Sequence, residues 1–116
     1  MSISEKLTSV RWKVNDVQIG VGLSVVQDCD LDNIITLNPD STVLFDRGVN
    51  LCDTLEQRMV TSYWQLKDDG KKINLMGWEY EIAVLSKEDL RLWLRNYVTP
   101  NYDTLDIYMM FKSVPR

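Results

Sequence analysis

The chain has 116 residues, 45% of them apolar, which is enough for one domain with its own core and too few for two. Thirteen Lys and Arg against 17 Asp and Glu leave a net charge of −4, with no histidine anywhere. That balance argues against a nucleic-acid module gripping phosphates, and it removes the commonest general base and metal ligand. No window approaches the ~18 consecutive apolar residues of a membrane helix. Residues 1–10 (MSISEKLTSV) have neither the basic start nor the apolar run of a signal peptide.

In chain order, Ser2-Ile3-Ser4-Glu5 comes first. Its Ser-x-x-Glu spacing is that of a capping box and predicts a short N-terminal helical turn. From there the apolar period is two rather than 3.6. Val10, Trp12 and Val14 alternate with Arg11, Lys13 and Asn15. Similar alternation recurs around Leu37, Val43/Phe45, Trp64/Leu66, Ile73/Leu75, Tyr80/Ile82/Val84, Leu90/Leu92/Leu94 and Leu105/Ile107/Met109/Phe111. Turn chemistry separates these sets: Asn38–Ser41, Asp68–Gly70, Gly77-Trp78, Ser86–Glu88 and Thr99–Tyr102. The expected strands are 10–19, 33–38, 42–46, 59–66, 72–76, 79–85, 89–98 and 103–112.

Paired residues must face the same side, so parity fixes the register. A two-residue loop at Gly77-Trp78 sets Leu75 against Tyr80 and Ile73 against Ile82. A three-residue loop at Ser86–Glu88 sets Val84, Ile82 and Tyr80 against Leu90, Leu92 and Leu94. A four-residue loop at Thr99–Tyr102 sets Leu94, Leu92 and Leu90 against Ile107, Met109 and Phe111. These registers give one apolar face and, on the other, a Glu79–Arg95–Asp106 charge ladder. The expected fold is therefore all-β, an eight-stranded antiparallel up-and-down barrel with a short N-terminal helical turn, an open sandwich being the alternative. Turns then alternate between two ends, one carrying the helical turn and short loops, the other carrying both long loops, 20–32 and 47–58. Cys29 and Cys52 lie one in each long loop, so topology puts them together and a Cys29–Cys52 disulfide is expected, with two free buried thiols as the alternative.

The order and spacing of several motifs resemble the small lipocalin-like domains of secreted Bacteroidetes lipoproteins. They are Trp12 in the first strand, Asp28-Cys29-Asp30-Leu31-Asp32-Asn33, Leu37-Asn38-Pro39-Asp40, Asp46-Arg47-Gly48 leading to Cys52-Asp53, Tyr63-Trp64-Gln65-Leu66, and Ile82 to Leu94. The chain departs from lipocalins proper at Val10, where they carry Gly two residues before the Trp, and at Asp40-Ser41, where Asp-Gly is usual. The resemblance implies a lipocalin-like barrel exported to the periplasm or cell surface, its only link to the membrane being a lipid anchor upstream of this chain. It carries over no binding residue and no catalytic activity.

Three places are candidate sites. The first is the barrel interior and the mouth at the long-loop end, where Trp12, Phe45, Trp64, Trp78, Tyr80, Leu92, Tyr102 and Ile107 would meet a small hydrophobic ligand, if they do not simply fill the barrel. Trp78 and Tyr102 would there act as a lid or stack on a sugar or partner. The second is the outer face of the last two strands, where Trp93, Tyr97 and Tyr108 form either an interface for a protein partner or an aromatic cluster that stabilises the sheet. The third, Asp28-x-Asp30-x-Asp32, has the spacing that opens an EF-hand, but Asn33 stands where the loop needs Gly and Pro39 where it needs Glu, so no metal site is assigned and weak Ca²⁺ binding is left open. No cofactor is expected. Ser-His-Asp and Cys-His catalysis are impossible without histidine, and the acids fall outside the barrel, so a non-catalytic binding module is expected, with a solid-core interaction domain as the alternative and a carboxylate-using enzyme a distant third.

Overall fold

The computed structural model describes residues 1–20, 22–98, 100–101 and 104–116. A six-residue helix, α1 (Ile3–Thr8), precedes nine strands: β1 (Arg11–Ile19), β2 (Leu23–Ser24), β3 (Ile34–Leu37), β4 (Thr42–Asp46), β5 (Met59–Lys67), β6 (Lys72–Leu75), β7 (Trp78–Leu85), β8 (Asp89–Val98) and β9 (Thr104–Val114). The eight strands β1 and β3–β9 pair antiparallel in chain order, and β9 returns to β1 to close the barrel. Closure leaves these long strands without a free edge. The unexpected element is β2, a two-residue return that pairs Ser24 with Gln18 and Leu23 with Ile19. Asp16 holds it, accepting from the Ser24 hydroxyl at 2.7 Å, the Gln18 amide at 2.9 Å and the Val17 N–H at 2.9 Å.

The expected register holds where alternation is unbroken. Leu90, Leu92 and Leu94 face Phe111, Met109 and Ile107, and Ile82 faces Leu92. It fails in three places, each for a backbone reason. The β6–β7 turn is Met76-Gly77 rather than Gly77-Trp78, both residues having positive φ (51° and 86°), the twist that suits a tight hairpin. The Met76 N–H donates to the Tyr63 carbonyl, fixing that choice. The pairs are therefore Ile73 with Tyr80 and Leu75 with Trp78, and Trp78 opens a strand instead of capping a turn. A bulge at Ala83 makes Leu85, not Val84, the partner of Leu90, and Val84 turns outward.

The third departure is a bulge between Leu94 and Tyr97, with Asn96 at φ 56°, a conformation Asn tolerates better than most residues. The extra residue inverts parity. Tyr97 pairs with Leu105, on the same face as the Leu94–Ile107 pair, so it points inward and not outward with Trp93 and Tyr108. The charge ladder breaks at the same bulge. Arg95 pairs with Glu81 at 2.8 Å rather than with Glu79, and the Asp106 carboxylate accepts the Asn96 N–H at 3.0 Å.

The buried core sits toward the helix end. Ser2 and Glu5 form the expected capping box: the Ser2 hydroxyl accepts the Glu5 N–H at 3.0 Å, and the Glu5 carboxylate accepts the Ser2 N–H. The helix lays Leu7 over the barrel, fully buried with Trp12, Leu37, Val43, Ile73, Leu90 and Leu92. Each such aliphatic side chain contributes roughly 1.5–3 kcal/mol by burial. The Trp12 indole donates to the Leu7 carbonyl at 3.0 Å, so the largest core side chain is also a strap on the plug. Ile3 presses so closely on Gly70 that a Cβ there would lie 2.4 Å from its Cδ1, and the glycine φ of +85° requires the same residue. Arg116 completes the seal, donating to the Thr8 and Leu37 carbonyls and to the Asn38 side chain.

Candidate functional site

The opposite end is open and is built by both long loops. Cys29 and Cys52 are bonded, their Cα atoms 5.1 Å apart, and the bridge ties the segment before β3 to the β4–β5 loop. Closing a loop of this length contributes about 3 kcal/mol in the chain-entropy picture. The two loops also touch directly. The Asp32 carboxylate accepts the Asn50 N–H at 3.2 Å, and a Cβ on Gly48 (φ +70°) would sit 2.9 Å from the Asp32 Cβ, so glycine is what permits the approach. Within the β4–β5 loop Arg47 pairs with Glu56 at 2.9 Å, lies 5.0 Å from the Phe45 ring centroid and donates to the Gln57 carbonyl. Arg58 pairs with Asp46 at 3.2 Å.

Burial falls along the barrel axis. Beyond the filled half, the inward residues Val17, Ile19, Phe45, Val60, Leu94 and Ile107 are only half-buried. Bulges in β1 (between Val14 and Asp16) and β8 re-aim this layer, bringing in Val17 and Tyr97, which strict alternation from Trp12 and Leu90 would point outward. Trp78, 51% exposed, packs on Tyr97 with ring centroids 5.7 Å apart and planes tilted by 52°. Leu23, Val25, Val49, Leu55 and Val98, in the loops and strand ends of the same end, are exposed as well. A cleft of about 240 Å³ opens between Phe45, Arg47, Glu56, Asp30, Asn33 and Cys52.

The interior candidates thus divide. Phe45, Trp78 and Ile107 lie in the open half. Trp12 and Leu92 are sealed in the closed half, Trp64 is buried with its indole donating to the Asn38 carbonyl at 2.9 Å, and Tyr80 is nearly covered, its burial pushing the phenol above its ordinary pKa. Tyr102 lies outside the described residues. Tyr97, expected on the outer face, belongs to the mouth; the signal for it was Asn96, a residue suited to the left-handed bulge position. Val17, Ile19 and Val60 were missed because they follow irregular stretches of sequence.

On the outer face Trp93 stacks on Tyr108 (5.1 Å, 18°), and the Arg95 guanidinium covers its other side at 3.2 Å while pairing with Glu81. Both faces of the indole are occupied, which fits the sheet-stabilising alternative. The acidic loop is engaged in its own geometry: Asp30 accepts the Gln27 N–H at 2.9 Å and Asp32 accepts that of Asn50. Asp30 lies beside both cysteine sulfurs, but these are spent in the disulfide and are not thiolate ligands.

A closed eight-stranded antiparallel barrel, plugged at one end by a short helix and open at the other, is a lipocalin-like fold. One solved structure of this kind is the complex of bovine odorant binding protein with a selenium-containing odorant, which superposes over 100% of this chain and 74% of that chain with a TM-score of 0.51 at 13% sequence identity. No protein-family model and no curated protein matches the chain.

Proposed function

We propose that the protein is a non-catalytic, extracytoplasmic binding module that holds a small hydrophobic molecule in the mouth of its barrel. The observation that carries this reading is the axial gradient: a filled, strapped closed half, and beyond it an apolar layer left half-open near Trp78 and Tyr97, with Arg47 over the Phe45 ring and paired with Glu56. The disulfide supports an oxidising compartment, and the resemblance to Bacteroidetes lipoproteins supports delivery there by a lipid anchor upstream of this chain. The bovine odorant binding protein, named for its ligand, lends analogy at the level of fold alone.

The second reading, a protein-interaction domain, draws on an outer groove of about 300 Å³ lined by Ala83, Val84, Tyr108 and Met110 beside the Trp93 stack. Titration with 1-decanol, followed by tryptophan fluorescence and native mass spectrometry, separates the two. The mouth reading expects saturable quenching and one decanol per chain, lost in Trp78→Ala/Tyr97→Ala. Absence of both quenching and bound mass overturns it in favour of the outer groove.

A further inference from the structure

We propose that the outer wall of the barrel over β5 and β6 binds a neutral hexose unit of a glycan. The site is an open groove of about 390 Å³ lined by Ser41, Tyr63, Trp64, Gln65 and Asn74, and it does not involve the mouth. Alternation along β5 buries Trp64 and so turns Tyr63 and Gln65 outward, while strand pairing sets Gln65 beside Asn74 and Tyr63 beside Thr42. Tyr63 is 73% exposed. Trp93 and Tyr108 cover one another, as do Trp78 and Tyr97, but among the described residues no ring or cation lies on Tyr63.

The lining carries no charge. Asp40, next to Ser41, is turned onto Thr42, accepting its N–H at 3.0 Å and its hydroxyl at 2.6 Å. Lys67 and Lys72 stand one pair further along β5 and β6, and Glu79 one strand further, across from Asn74. Among the described residues the Ser41 and Tyr63 hydroxyls and the Gln65 and Asn74 amides have no hydrogen-bond partner, so four side chains that can each donate and accept line one groove. A hexose ring matches them, with vicinal hydroxyls for the amides and a face of C–H bonds for the exposed phenol ring. A charged ligand would find no counter-ion there, and a purely apolar one would leave the amides unpaired. Ser41 is an independent sign. Its φ of 72° lies in the left-handed region that favours glycine, yet a side chain is kept there, at the groove. The turn uses only its backbone: the Ser41 N–H donates to the Asn38 carbonyl at 3.1 Å, and its carbonyl accepts the Trp64 N–H at 3.0 Å.

Maltotriose, cellotriose and mannotriose, with trigalacturonate as the charged control, test this at millimolar concentration through the Gln65 and Asn74 side-chain amide signals in a ¹⁵N-correlated spectrum. At least one neutral trisaccharide should shift both amides saturably, and equally at low salt and in 0.5 M NaCl, because no ion pair is formed. Trigalacturonate should leave them in place. Tyr63→Ala should weaken the binding at least tenfold with urea unfolding nearly unchanged, since the ring is exposed and the bond its carbonyl accepts from the Met76 N–H survives the substitution. Ser41→Gly should weaken binding severalfold in a protein at least as stable as the wild type, a combination that a purely structural role of Ser41 would not give. No shift with any neutral trisaccharide, equal shifts with trigalacturonate, or undiminished binding by Tyr63→Ala overturns the inference. The mouth reading stands or falls separately, by the decanol titration.

Discussion

At the helix end, Leu7, Trp12 and Leu37 are wholly covered, and the indole of Trp12, the guanidinium of Arg116 and the tight Ile3–Gly70 contact hold the plug down. At the loop end, Trp78 is half-exposed, the cross-links run between loops rather than across the barrel, and the inward residues are only partly covered. Both ends use tryptophan, to different purposes: Trp12 satisfies its N–H inside the core, whereas Trp78 presents a face to the entrance. One end spends its apolar surface on stability, and the other leaves it available.

The sharpest way to break this contrast is to truncate each tryptophan. Trp12→Ala should cost about 3–5 kcal/mol in urea unfolding, through cavity formation and loss of the strap on α1. Trp78→Ala should cost under about 1 kcal/mol, and a similar loss at both positions would contradict the asymmetry. Next in size is the bridge: Cys29→Ser/Cys52→Ser should lower stability by about 3 kcal/mol while leaving the far-ultraviolet circular dichroism of the barrel intact. Smaller again is Asn96→Val. A β-branched residue resists φ near 56°, so a loss of about 1–2 kcal/mol is expected, together with loss of decanol binding as Tyr97 is no longer held inward.

The smallest effect concerns Asp16. Hydrogen bonds from Ser24 and Gln18 hold its carboxyl below the usual 3.8, so the folded state favours the charged form. The stabilisation is complete above about pH 4 and is lost as the pH falls through the depressed folded value. The protection of the Val25 N–H, which donates to the Val17 carbonyl beyond β2, measured by hydrogen exchange relative to the intrinsic rate at each pH, should fall in that acid range in the wild type and be low at all pH values in Asp16→Ala.

The same division runs through what could be read in advance. The run Leu90-Arg91-Leu92-Trp93-Leu94 and its partner Ile107-Tyr108-Met109-Met110-Phe111 alternate without interruption, and their pairing, the barrel and the capping box were legible because local pattern and global closure agree there. Cys29 and Cys52 were legible for the same reason, since strand parity alone puts their loops together. The mouth was not. Tyr97, Val17 and Trp78 owe their placement to bulges and to a left-handed Met76, which shift parity by one residue or a turn by one position, and nothing in a polar–apolar pattern announces a bulge. Apart from the Ala83 bulge in β7, the closed half obeys alternation; the open half departs from it at more positions, as binding ends of rigid scaffolds commonly do.

The central claim, a barrel sealed at the helix end and open to ligand at the loop end, is tested most directly by the indole N–H signals of the four tryptophans in a ¹⁵N-correlated spectrum recorded during a 1-decanol titration. Trp78 should exchange fast with water in the free protein and shift saturably with decanol, while Trp12 and Trp64 exchange slowly and stay in place. A saturable shift at Trp12, a shift confined to Trp93, or no shift at Trp78 would contradict the account.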